Sequence, residues 1–133
     1  MNCFLDTNIC IYYLNGKLPS VTRNLLSHTP KEIKIPSVVA AELFYGAKKS
    51  VNHLINVSKL KIFLKPLEII PFDKNTAECY GEIRTSLEFT GKVISGNDMM
   101  IAAIVLSSGG VLVTNNAREF ARVPNLKIEN WIE

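Results

Sequence analysis

The 133-residue chain contains no apolar run approaching the ~18 residues that would span a bilayer. Cysteine, histidine and tryptophan are scarce, at three, two and one. The cysteines, Cys3, Cys10 and Cys79, are odd in number, far apart and set among apolar residues. That pattern excludes a disulfide framework or a zinc cluster and points to reduced core thiols in a cytoplasmic protein. The N-terminus, MNCFLDTN, has no basic stretch and meets Asp6 early, so no signal peptide is expected. There is no GxxxxGK[ST] and no GxGxxG, which removes the nucleotide-binding α/β classes. Repeats, low-complexity tracts and linkers are also missing.

What remains is a chain 47% hydrophobic and 20% charged, too apolar to be disordered. Its length suits one domain over 1–133, large enough to bury a core without staples. The net charge of +3 hides an asymmetry. Residues 31–65 carry seven Lys against Glu32 and Glu42, a local +5, and the rest of the chain carries −2. Such a stretch can attract a polyanion, although a solvated lysine-rich face gives the same count.

The six prolines, at 19, 30, 36, 66, 71 and 124, fall between apolar-periodic segments. Short apolar runs at 3–5, 33–35, 67–70, 111–113 and 126–128 read as strands. The first and fourth lack polar alternation, as strands covered on both faces do. Helical spacing occupies 8–15, 20–28, 37–48, 51–64, 74–89 and 97–107. Within 51–64 the apolar set is Val51, Leu54, Ile55, Leu60, Phe63 and Leu64; within 74–89 it is Ala77, Tyr80, Ile83 and Leu87. The last helix is apolar nearly all round and should be buried. Strands alternating with helices predict an α/β layer fold on a mainly parallel sheet of four to five strands. His28 and His53 are expected to face solvent, Trp131 to close the core near the C-terminus, and Gly81 to mark close helix packing.

In a parallel sheet ligands collect outside the carboxyl ends of the strands, which directs attention to acids there. Asp6 follows the first strand, where a helix N-cap is the simpler reading. Glu42 stands alone in SVVAAELFYGA, costly to bury unless paired or facing out. Asp98 opens the most apolar helix, where Asn97 or Asp98 could be only a cap. The fourth strand runs into TNNAREF, a polar loop containing Glu119, where an Asx turn capping a short helix is the simpler reading. Carboxylates that gather need a cation between them, because like charges repel. Oxygen donors without clustered His or Cys select Mg²⁺ or Mn²⁺, which suit in-line phosphodiester displacement. A phosphoacceptor receiver fits poorly, since no convincing Lys follows the fifth strand. A non-catalytic binding module whose acids are only caps remains an alternative.

LDTN at 5–8, AAELFYGA at 40–47, SGNDMMIAA at 95–103 and VTNNAREF at 113–120 resemble, in order, the motifs of PIN domains. The likeness is greatest to the VapC-type toxins of bacterial toxin–antitoxin pairs and spans residues 3–131. It implies a PIN-like three-layer α/β/α sandwich and an endoribonuclease using one or two Mg²⁺ or Mn²⁺ ions. A structured RNA is implied as substrate, tRNA first, with a housekeeping RNA-maturation nuclease as the alternative. By the same resemblance Asp6, Glu42 and Asp98 match the three core acids, catalytic and metal-binding. Asn8 matches the residue supporting the first acid, and Thr114 the hydroxyl after the fourth strand. Many PIN domains carry Asp where Asn115 and Asn116 stand here, so the fourth acid is assigned to Glu119, with both amides in support. Lys48 and Lys49, ending the helix that carries Glu42, are the candidates for RNA phosphates. A VapB-type antitoxin is the implied partner, expected against Ile9, Tyr12, Phe44 and Tyr45, and a homodimer is expected.

Overall fold

The structure, a computed structural model, describes residues 1–132. Five strands form one sheet: β1 (Cys3–Leu5), β2 (Ile33–Pro36), β3 (Glu68–Ile70), β4 (Val111–Val113) and β5 (Lys127–Glu129). Their order is β3-β2-β1-β4-β5, and every neighbouring pair is parallel. The helices are α1 (Thr7–Asn15), α2 (Pro19–Leu26), α3 (Ser37–Lys49), α4 (His53–Leu64), α5 (Lys74–Thr90), α6 (Gly96–Ser108) and α7 (Ala117–Phe120), with a 3₁₀ turn at Pro30–Glu32. The sheet is therefore wholly parallel and five-stranded, the upper end of the expected range.

The two central strands β1 and β4 are buried throughout, and α6 buries Met99 and Ile101–Val105 against them. Two-sided cover explains why these runs show no polar alternation. The chain leaves β1 toward β2 and returns on the other side at β4, so the order reverses beside β1. A crevice opens at such a switch point, outside the carboxyl ends. Asp6 and Thr114 end the two strands there, and the Asp6 backbone N–H donates to Val113 O at 2.9 Å.

Several elements depart from the sequence reading. Val51, Leu54 and Ile55 are 97, 78 and 59% exposed, not buried. Only Leu60 and Leu64 bring α4 to the core, with Phe63 tilted on Tyr13 at 5.3 Å. Ala77 is exposed, and Thr76 takes its place beside Ile83 and Leu87 on the inner face of α5. His28 is half-buried, not solvent-facing: its ring stacks on Trp131 at 5.4 Å and its Nδ1 lies 2.7 Å from Asn24 O. Trp131 is buried as expected, and His53 is exposed. Cys3, Cys10 and Cys79 are free thiols, and burial pushes those of Cys3 and Cys10 up, so they stay protonated. No helix among the described residues is long and apolar enough to cross a membrane.

Two glycines have opposite meanings. A Cβ on Gly81 would meet nothing within 4 Å, so close packing within this chain does not explain it. A Cβ on Gly110 would lie 2.5 Å from Phe4 Cε1 and 2.8 Å from Asn2 O, the backbone acceptor of Val111 N–H. Gly110→Ala should therefore cost about 1–3 kcal/mol, as overpacking does. Gly81→Ala should gain about 0.5–1 kcal/mol by helix propensity. Urea midpoints of the two variants should move in opposite directions.

Candidate active site

Asp6 is both cap and cleft residue. Its Oδ1 accepts from Thr7 N–H at 2.8 Å, which caps α1, and its Oδ2 accepts from Thr114 Oγ1 at 2.6 Å. One buried side chain thus caps α1 and lines the cleft. Thr114 Oγ1 also accepts from Asn116 N–H at 2.9 Å, tying the loop after β4 to the first acid. None of the hydrogen bonds to Asp6 comes from Asn8, which lines the hollow beside it.

Glu42 lies half-buried on α3. Its Oε1 accepts from Thr7 Oγ1 at 2.6 Å and its Oε2 from Asn97 Nδ2 at 3.3 Å. Thr7 and Asn97 were not singled out as site residues in the sequence. Asn97 was weighed only as a cap, and the cap of α6 is instead Ser95, whose side chain accepts from Asp98 N–H at 3.1 Å. With Ser95 doing the capping, the Asp98 carboxylate is left in the first turn and lines the cleft.

Asp6, Glu42 and Asp98 line one hollow of about 410 Å³ at the carboxyl edge of the sheet. Asn8, Asn115 and Asn116 complete its polar wall, and no Lys or Arg is among the lining residues. Glu119 sits half-buried in the first turn of α7, off that wall but near enough to act on Asp98. The acids disturb one another. Burial, then the charge of Asp6, pushes Asp98 up to about 6, with Glu119 and Glu42 adding to the rise. Burial also raises Asp6, against the hydrogen bonds from Thr114 and Thr7. A set of oxygen donors this short of positive charge suits a hard cation. Among the described residues no three acids stand close enough to ligate one ion together. The expected convergence on a common ion is therefore corrected to convergence on a common hollow. Mg²⁺ keeps several waters and is commonly held by one or two carboxylates, so the donor set fits such an ion.

The other sequence-derived positions divide. Ile9 is fully buried and can touch no partner, because it points into the core from α1. Tyr12 and Phe44 are half-buried against that core, while Tyr45 is 67% exposed with Lys49 Nζ 4.6 Å from its ring centre. Lys48 and Lys49 are both exposed in the last turn of α3. An apolar groove of about 390 Å³ lies further along α1, walled by Ile11, Leu14, Leu43, Gly46, Ala47 and Leu60. Glu42 lines this groove as well as the acidic hollow.

A wholly parallel sheet whose carboxyl edge gathers three acids in one open hollow defines a class of α/β proteins with an oxygen-lined site at the switch point. The PIN domain model matches residues 3–126. The ribonuclease VapC2 of Rickettsia felis is 48% identical over 128 residues, 96% of each chain. The tRNA(fMet)-specific endonuclease VapC of Salmonella typhimurium is 38% identical over 127 residues, again 96% of each. Among solved structures, the R. felis VapBC2 complex bound to a promoter DNA fragment superposes with a TM-score of 0.90 at 47% identity, covering 98% of this chain and 99% of that one. The chain belongs to the PIN-domain family, in its VapC branch.

Proposed function

We propose that this chain is the ribonuclease toxin of a VapBC pair and that it cuts a structured RNA, tRNA(fMet) first, using Mg²⁺ or Mn²⁺. The observation that carries the reading is the placing of Asp6, Glu42 and Asp98 on one open hollow whose wall has no cation. The similarity to an S. typhimurium protein named a tRNA(fMet)-specific endonuclease supports the substrate. Asp6 and Asp98 would hold the ion, with Glu42 reaching it through water. A bound ion would lower the pKa of a water and stabilise developing charge on phosphate oxygens. Thr114 and Thr7 keep Asp6 and Glu42 aimed into the hollow. Incubating the chain with tRNA(fMet), with Mg²⁺ or with EDTA, tests the reading. Cleavage only with the metal supports it, and metal-independent or absent cleavage opposes it.

Glu119 belongs to this proposal as the fourth acid, acting through its charge on Asp98. Glu119→Gln should slow cleavage more than Asn115→Ala, because only Glu119 adds negative charge. The reverse order would assign the fourth place to an amide-held water.

The partner is a VapB-type antitoxin, consistent with the VapBC complexes of R. felis and S. typhimurium. The apolar groove between α1, α3 and α4 suits an amphipathic segment, and an occupant would end beside Glu42. Gly46 offers a direct check, since a Cβ there meets nothing within 4 Å. Gly46→Trp should leave the fold intact and weaken co-purification with the antitoxin. An undiminished complex would move the docking site. The homodimer is part of the same proposal, and sedimentation of the isolated chain checks it.

A further inference from the structure

A second hollow, of about 370 Å³, opens between the end of α5 and α7. Lys92, Arg118 and Arg122 line it, and no acid is among its lining residues. None of the three makes an ion pair among the described residues. Arg122 Nη1 donates to Val93 O at 3.2 Å, joining the two walls. Three unpaired cations around one concavity repel each other, so the arrangement favours an anionic occupant. Two arginines favour a planar or tetrahedral oxyanion, whose oxygens their forks can grip.

Two connections link this hollow to the acidic one. From Lys92 the chain passes through Ser95, the cap of α6, to Asp98; those six steps span at most ~20 Å. On the other wall, Asn116 lines the acidic hollow while Arg118, two residues further along the chain, lines the basic one. An anion in the basic hollow therefore lies along the rim of the cleft. Beside it, Phe89 is 90% exposed on α5, one turn from the pocket residue Ser86. Cations interleaved with an exposed aromatic are the surface that single-stranded nucleic acid uses, phosphates on the cations and a base on the ring.

We propose that Lys92, Arg118 and Arg122 form a phosphate subsite for the RNA strand next to the acidic cleft, with Phe89 stacking an unpaired base. This rests on the ribonuclease reading above and adds the path of the strand. It departs from the expectation that Lys48 and Lys49 carry the phosphates.

The test is the salt dependence of binding of a short fluorescein-labelled RNA stem-loop, read by anisotropy in EDTA over a KCl series. Each phosphate contact adds ~0.7–0.9 to the slope of log K against log salt. The double variant Lys92→Gln/Arg118→Gln, with Arg122 left to hold Val93, should lower the slope by about 1.4–1.8 with unchanged melting temperature. Arg122→Lys should keep the wild-type slope. Phe89→Ala should weaken binding about five- to hundredfold without changing the slope. An unchanged slope in the folded double variant overturns the subsite, and more so if Lys48→Gln/Lys49→Gln lowers it. An unchanged slope with lost binding of poly-glutamate would assign the hollow to an acidic protein and also overturn it. If Phe89→Ala changes the sedimentation of the protein and not RNA affinity, the stacking part falls. Cleavage of the same stem-loop with Mn²⁺ is followed in parallel. Binding without cleavage sinks the ribonuclease reading while the slopes still judge the subsite, and no binding at all sinks both.

Discussion

Asp98→Asn is expected to slow RNA cleavage on the order of 10²- to 10³-fold while raising the melting temperature of the metal-free chain. The first effect follows from removing a charge aimed at the reacting phosphate's cation, comparable to removing one preorganised electrostatic group. The second follows from the crowding of acids. Asp98 is pushed up to about 6 by burial and then by Asp6, which means that its ionised form is disfavoured in the folded chain. An amide of the same shape removes that repulsion. Loss of function with a gain in stability is the signature of a site held under strain for its chemistry. Activity assays and thermal melts on one preparation check both halves. A variant that loses activity because it unfolds would contradict the account, as would one that keeps cleaving.

A second large effect is expected in the joint response to pH and metal. Asp98 and Asp6 both have folded-state pKa values raised above the unfolded carboxylate value. Their contribution to stability is therefore fully present below the unfolded pKa and is lost as pH rises through about 6. Glu32 and Asp73 are lowered by hydrogen bonds from Thr29 and Thr76, so their contribution is lost only in stronger acid. Between about pH 4 and 7 the two cleft acids set the local slope. A divalent ion binds the ionised forms and reverses the penalty. Saturating Mg²⁺, at about a hundred times its dissociation constant, would add ~2.7 kcal/mol, equivalent to several degrees. The Mg²⁺ shift in melting temperature should be large at pH 7.5 and small at pH 5. A shift that is equal at both values, or larger in acid, would contradict the assignment of these acids as ion ligands.

The five strands were legible because short apolar runs were bounded by Pro and polar residues, and because helices alternated with them. Their order was not, since nothing in a local pattern says that β4 lies beside β1. The four-residue α7 is too short for periodicity to show, and only the Asx-turn reading of TNNAREF points to it. The exposure of Val51, just before α4, and of Leu54 and Ile55 in its first turn was not legible, because these residues have helical spacing whether or not a sheet lies beneath them. In the site, Asp6, Glu42 and Asp98 stood out as charges interrupting apolar runs. Thr7 and Asn97 did not, because a neutral side chain becomes a positioning group only when α1, α3 and α6 meet at Glu42. Arg118 and Arg122 carry no signal in the sequence, because only the fold brings them to one hollow with Lys92.

The central claim is that the hollow lined by Asp6, Glu42 and Asp98 holds the divalent ion on which RNA cleavage depends. Mn²⁺ titration followed by electron paramagnetic resonance, on the wild-type chain and on the folded double variant Asp6→Asn/Asp98→Asn, tests it most directly. The account predicts saturable Mn²⁺ binding to the wild type and its loss in the variant, with cleavage lost alongside. Mn²⁺ binding of equal affinity and stoichiometry in the two proteins would contradict it.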